Sequence, residues 1–130
     1  MLAQIPEKYD LVLVDSASVL TSELDQVLKL AQLVLLPVRE SIHSLRGALS
    51  VMKITAAPCK ALPLFKPDDS ELAKLIAAEL DLLDGEISIS DEVLQAESKS
   101  VSVLTDQKNS EVSQQYRDAT YSLLEELKIF

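Results

Sequence analysis

Short apolar runs alternate along the chain with longer stretches in which apolar residues recur at helical spacing. Runs of four to eight residues rich in β-branched and other apolar side chains are typical of buried strands. On this pattern we predict strands at residues 10–15 (DLVLVD), 33–38 (LVLLPV), 60–66 (KALPLFK), 86–90 (EISIS) and 100–105 (SVSVLT). Pro37 and Pro63 cannot donate a backbone hydrogen bond, so ladder pairing is limited where they stand.

The longer stretches predict helices, each with one apolar face. They cover residues 21–32, 41–54, 68–83 and 110–130, with a short helical turn at 91–97. Thr21 or Ser22 is the expected N-cap of the first helix. Asp68 and Glu71 have the spacing of a capping box in which the aspartate is the cap.

Strands and helices that alternate with short connections predict an α/β fold: one domain over residues 1–130, a mostly parallel sheet of about five strands, and helices on both faces. Right-handed crossovers would bring the carboxyl ends of the strands to one edge. Asp15 and Arg39, which end the first and follow the second strand, are expected at this edge. Open α/β sheets bind ligands there.

The charge is unevenly distributed over the 130 residues, whose formal net charge is −9. Residues 1–66 carry seven Lys/Arg and six Asp/Glu, whereas residues 67–130 carry five and fifteen. A strongly acidic half repels nucleic acid phosphates, so direct DNA binding is not expected. No apolar run approaches the roughly 18 residues of a membrane span. The beginning, MLAQIPEKYD, lacks the features of a signal peptide, and we expect a cytoplasmic protein.

Few side chains suggest catalysis. Cys59 is the single cysteine, so neither an internal disulfide nor a cysteine-rich metal site can form. His43 is the single histidine, and no second residue at defined spacing suggests a catalytic triad or a metal set with it. The acid pairs are Asp68/Asp69, Asp91/Glu92 and Glu125/Glu126. Capping explains the first two pairs, which stand near helix starts, and exposure explains the third.

The sequence contains no phosphate-binding loop. Such a loop needs glycines, whose backbone N–H groups cradle phosphates, and a lysine, but neither Gly47 nor Gly85 precedes Gly-Lys-Ser/Thr. Asp15 follows four apolar residues, as does the magnesium-associated acid of P-loop enzymes; an aspartate that caps the turn after a strand gives the same pattern. Arg39 has two interpretations as well, a cation facing a phosphate or a solvated side chain.

Residues 9–53, YDLVLVDSASVLTSELDQVLKLAQLVLLPVRESIHSLRGALSVMK, resemble the middle of the ParA/MinD partition ATPases. The similarity rests on Tyr-Asp, an apolar strand, an acid, a small-residue turn, a helix, a strand ending in Pro-Val and then Leu-x-Gly. It continues more faintly through residues 62–80 and 87–127.

This resemblance implies a deviant Walker-type ATPase that dimerises around ATP and positions plasmids, chromosomes or other cargo. Asp15 would match the Walker B acid, holding Mg²⁺ through water, and Arg39 would lie near the nucleotide, in each case only if a P-loop is supplied. The chain departs from the family in lacking the P-loop half, in having Ala17-Ser18 where Pro-Pro is frequent, and in having Gln32 where an Asp commonly stands.

Two hypotheses follow. In the first, the chain is a non-catalytic, truncated ParA-like protein with a Walker B remnant, no catalytic residue and no cofactor of its own, which acts by self-association or by contact with a protein partner. In the alternative, it is the C-terminal part of a ParA/MinD-type ATPase that needs a separate P-loop segment to bind and hydrolyse ATP with Mg²⁺.

Overall fold

Helices and strands alternate in the first half of the chain, and helices alone follow in the second. The computed structural model describes residue 5, residues 7–16 and residues 21–129. Over these residues the chain forms α1 (Ser22–Leu30), β1 (Val34–Val38), α2 (Ile42–Ile54), β2 (Cys59–Pro63), α3 (Glu71–Glu79), α4 (Asp91–Ser98), α5 (Val103–Asp106) and α6 (Glu111–Glu126). The mixed α/β class is therefore confirmed, with six helices and a two-stranded parallel sheet in the described residues.

A serine or threonine caps the N-terminus of each described helix by accepting a hydrogen bond from a first-turn N–H. The caps are Thr21, Ser41, Ser70, Ser90, Ser102 and Ser110. Each such cap typically stabilises a helix by about 1 kcal/mol. The prediction of Thr21 is confirmed, whereas Asp68 is not the cap of α3. Instead, the Asp68 carboxylate accepts a hydrogen bond from the Ser70 N–H at 2.9 Å, which orders the loop before the helix.

β2 is hydrogen-bonded along both edges. β1 pairs with it in parallel, in a register that places Leu36 beside Ala61. On the other edge the Ala61 N–H donates to the Asp81 carbonyl at 2.8 Å, and the Leu83 N–H donates to the Ala61 carbonyl at 2.7 Å. The chain leaves α3 early to make this bridge, and the predicted helix 68–83 therefore ends at Glu79.

Two hydrophobic clusters lie on opposite faces of the sheet, because successive side chains of a strand point to opposite sides. Ala61 and Leu36 belong to the first cluster, which α2 and α3 cover. Leu62 belongs to the second, to which Leu35 packs. The residues that cover this second cluster come mainly from α4, α5 and α6: Ala96, Val103, Val112 and Ala119.

The prediction of a strand at residues 10–15 is wrong. Residues 11–16 have no regular secondary structure and are exposed. A lone extended segment is not stable in water without a pairing partner, and no described strand pairs with the outer edge of β1, the edge facing away from β2.

The outer edge of β1 is a poor partner for an added strand. The Val34 N–H donates to the Pro58 carbonyl and the Val38 carbonyl accepts from Leu64, so the alternate residues 35 and 37 face outward. Pro37 has no N–H to offer. The next outward N–H, that of Arg39, already donates to Ser44 Oγ at 2.9 Å. An edge that offers so few free N–H donors disfavours the addition of another strand, as the edges of natural sheets do.

The predicted strands at 86–90 and 100–105 are also wrong, which reduces the expected five strands to two in the described residues. At 86–90 the only ladder-like contact is the bond from the Ile87 N–H to the Pro63 carbonyl, 2.8 Å long. At 100–105 the alternating valines suggested a strand. The chain instead turns at Ser100, whose φ is +57°, and Ser102 begins α5.

None of the helices in the described residues combines the length and the apolar character needed to cross a membrane.

The two glycines give opposite predictions for substitution by alanine. A Cβ at Gly47, in the middle of α2, would meet no atom within 4 Å, and Gly47→Ala should raise the free energy of unfolding by about 0.5–1 kcal/mol. Gly85 has φ +130°, a conformation that L-residues rarely adopt, so Gly85→Ala should lower it by about 1–3 kcal/mol. Urea titration of both variants measures the two changes; effects of the same sign would contradict this account.

Candidate functional site

The carboxyl ends of β1 and β2 form the edge at which the sequence predicts ligand binding. Arg39 and Glu40 follow β1, and both are exposed. Glu40 Oε1 accepts a hydrogen bond from Ser70 Oγ at 2.8 Å, which links the loop after β1 to the start of α3. Lys66 is exposed in the loop after β2. The edge thus carries charged side chains of both signs.

The N-termini of α2 and α3 lie at this same end of the sheet, where uncapped N–H groups would attract an anion. Both helices are capped: Ser41 Oγ accepts from the Ser44 N–H at 3.0 Å, and Ser70 Oγ accepts from the Ala73 N–H at 3.1 Å. The described residues of this edge also lack the glycine-rich loop with which P-loop enzymes hold phosphates.

Asp15 and Arg39, the two residues predicted to face nucleotide and metal, are both exposed. Within the described part of the chain, the two side chains form no hydrogen bond or ion pair with each other, and neither forms one with a third residue. Asp15 lies at the end of an irregular segment instead of at the end of a strand. The neighbouring departure from the ParA pattern, Ala17-Ser18, lies outside the described residues.

Residues 11–14, here called the apolar segment, expose four consecutive apolar side chains to solvent. The exposed fraction reaches 76% at Leu13, and Leu11, Val12 and Val14 are also exposed. Tyr9, just before the segment, is exposed and has the Lys8 ammonium 5.3 Å from its ring centroid. A run of exposed apolar residues is uncommon on a protein that functions alone and often marks a contact surface.

The remaining sequence candidates have structural roles or none. His43 is exposed in the first turn of α2. The pKa of Asp68 is lowered by its hydrogen bonds from Ser70, and that of Glu92 by its hydrogen bond from Ser90. Carboxylates with lowered pKa stabilise the fold at neutral pH, and this contribution is lost as the pH falls through their folded pKa.

Lys60 is a residue that sequence reasoning missed. Its ammonium lies 2.9 Å from Asp81 Oδ2 and 3.4 Å from Glu126 Oε1, and the hydrogen bond to Asp81 is the main cause of its raised pKa. Glu126 had been expected only to be exposed. The interaction ties the end of α6 to β2, and no local pattern indicates a contact between residues so far apart in sequence.

The described residues contain no group of three or more His, Cys, Asp or Glu side chains that could hold a metal ion. Asp15 has the carboxylate oxygens that Mg²⁺ prefers, but one carboxylate does not make a site without substrate phosphates. The residues described here therefore do not by themselves fit a magnesium–nucleotide group.

A scan against protein-family models, a search of curated proteins and a search of solved structures found no match to this chain.

Cys59 should react slowly with thiol reagents in the folded protein. Burial raises the pKa of its thiol, and Sγ contacts the Ala57 carbonyl oxygen at 3.6 Å. Because the thiolate is the reactive form, we expect labelling by 5,5′-dithiobis(2-nitrobenzoic acid) to be about tenfold slower in buffer than in urea. Equal rates in the two conditions would show that this thiol is accessible and ionises normally; Cys59→Ser, which removes the single thiol, gives the background.

Proposed function

We propose that this chain is a non-catalytic ParA-like protein of the cytoplasm that acts by self-association in the partition or positioning of cargo. The proposal is supported by the residue pattern of segments 9–53, 62–80 and 87–127, by the α/β architecture, and by the lack of a phosphate-binding loop in the sequence. Direct DNA binding is not part of it, since the second half of the chain is strongly acidic. A membrane is not part of it either, since no apolar run in the sequence approaches the roughly 18 residues of a membrane span.

The observation that carries the proposal is the exposure of the apolar segment. Four consecutive apolar side chains lie in water, and transferring each to an apolar interface would contribute up to about 1.5–3 kcal/mol. The segment has strand-forming composition but no pairing partner among the described residues. In the proposed assembly, a second copy covers these side chains, and the segment gains the partner that it needs to form a strand.

Substitutions in the apolar segment should weaken self-association without unfolding the protein. We expect sedimentation velocity across a concentration series to show dimers or larger species of the natural chain. Val12→Ser/Leu13→Asp should weaken their association by about tenfold or more, because apolar burial is lost and a charge is introduced. Both side chains are exposed, so circular dichroism should be unchanged.

Ile89→Asp is the matched control, because Ile89 is 92% exposed and lies outside the segment. A natural chain that stays monomeric throughout the series would contradict the proposal. So would equal losses from Ile89→Asp and from the segment variant, since the segment would then have no special role.

One observation favours the alternative, in which the chain supplies the C-terminal part of a ParA/MinD-type ATPase and a separate P-loop segment completes it. Asp15 follows the apolar segment and Arg39 follows β1, and both side chains are exposed. Neither side chain forms a hydrogen bond or an ion pair within the described residues, so both are available to bind a ligand. In this alternative ATP and Mg²⁺ bind only to the completed protein, where Asp15 would hold the metal through water and Arg39 would lie near the phosphates.

Native mass spectra with and without MgATP distinguish the two proposals. We expect spectra of the isolated chain to show the same species in both conditions, because the described edge lacks a phosphate cradle. Asp15→Asn should then change nothing, as should the control Asp10→Asn at the other end of the apolar segment. A nucleotide-bound species that Asp15→Asn removes and Asp10→Asn retains would instead support the ATPase alternative.

A further inference from the structure

An open groove lies in the acidic half of the chain, between α4, the turn that follows it, α5 and α6. Its volume is about 770 Å³. Apolar side chains form most of its lining, together with one carboxylate; the residues concerned are Val93, Glu97, Val101, Val103, Leu104 and Tyr116. Val101 and Leu104 are 45% and 40% exposed, so this lining faces solvent.

Fixed contacts hold the groove open. The turn after α4 passes through Ser100 in a left-handed conformation, and Lys99 at the end of the helix pairs with Asp106 of α5 at 3.2 Å. The fully buried hydroxyl of Ser113, on α6, lies 3.1 Å from the Val103 carbonyl oxygen. These contacts place α5 against α4 and α6, and the groove is therefore preformed.

The groove suits an apolar surface that carries a positive charge. Glu97 is exposed, and within the described residues its carboxylate accepts no hydrogen bond and forms no ion pair. Lys99, the nearest cation in sequence, is occupied by Asp106. Residues 67–130 as a whole carry fifteen acidic against five basic side chains, so the potential around the groove favours a basic partner.

The helix α2 of the same chain has the complementary character. Among the described helices it alone has more basic than acidic residues, with Arg46 and Lys53 and no acid. Both side chains are exposed, and so are Ile42 and Ile54 near the two ends of the helix.

Gly47 adds a second, independent observation on α2. It is exposed, no atom lies within 4 Å of where its Cβ would be, and its φ lies outside the left-handed range. A glycine inside a helix costs about 0.5–1 kcal/mol relative to alanine. Nothing within the described fold requires it, and on the exposed face it leaves room for another backbone to approach closely.

We propose that α2 of one copy docks in the α4–α5–α6 groove of a second copy, with one end of the helix in the groove: Arg46 or Lys53 pairs with Glu97, and the exposed isoleucine at that same end, Ile42 or Ile54, packs against Val101 and Leu104. This inference rests on the self-association proposed above and identifies a second contact, separate from the apolar segment. The contact is heterologous, because it joins different surfaces of the two copies.

Charge reversal on each side, followed by mixing, tests this pairing. One variant is Glu97→Lys, the other is Arg46→Glu/Lys53→Glu, and the readout is the weight-average mass from sedimentation. Each variant alone should associate about tenfold more weakly than the natural chain, because like charges then meet in the groove. The equimolar mixture should recover the weight-average mass of the natural chain, since the reversed helix matches the reversed groove and the unchanged helix matches the unchanged groove.

The control Glu79→Lys reverses another exposed acid, on α3, and should leave the mass unchanged. Leu104→Ser should weaken association more than Leu75→Ser, although the two leucines are 40% and 41% exposed. A mixture whose weight-average mass stays as low as that of the two variants, or a loss from Glu79→Lys equal to that from Glu97→Lys, would overturn the pairing.

The same measurements separate this inference from the proposed function. If Val12→Ser/Leu13→Asp lowers the mass and the charge reversals do not, self-association stands, and the groove does not receive α2 of a second copy. If the natural chain is monomeric, both proposals are wrong.

Discussion

The central position of β2 is the constraint on which the rest of the fold depends. Its backbone is bonded to β1 on one edge and to residues 81–83 on the other. Its side chains alternate between the two clusters, with Ala61 in the first and Leu62 in the second. The small side chain at Ala61, which is 1% exposed, fits where both the first cluster and the bridge to Leu82 require close approach. A larger residue there would disturb the first cluster and the bridge at once.

The sequence predicts five of the six described helices, all but α5, because helical spacing is a local signal. The strands β1 and β2 are also found, to within a few residues. The errors fall where an apolar run lacks a pairing partner. Residues 10–15 have the composition of a strand, but a strand is stable only beside another strand, and composition does not reveal whether one is present. At 100–105 alternation suggests a strand, yet the cap at Ser102 starts a helix instead.

The candidate site could be predicted only as residue types near a sheet edge. Asp15 and Arg39 are recognisable because each follows an apolar run, but no contact in the described residues joins them. The contacts that do organise the molecule, such as that of Lys60 with Glu126, join residues distant in sequence. The groove was hidden for a related reason: Glu97, Leu104 and Tyr116 come together only because α4, α5 and α6 pack on β2.

Charge and apolar exposure act in opposite directions on association of this chain. A net charge of −9 makes two copies repel each other, which limits indiscriminate contact through the apolar segment. Contact is then favoured where a basic surface meets an acidic one, and α2 and the groove offer such a pair at separate places on each copy. A heterologous contact of this kind leaves one free surface at each end of the assembly, so it extends a chain unless the rotation closes a ring. The net negative charge thus disfavours most contacts between copies and leaves the contact of α2 with the groove, which joins the copies head to tail in the proposed assembly.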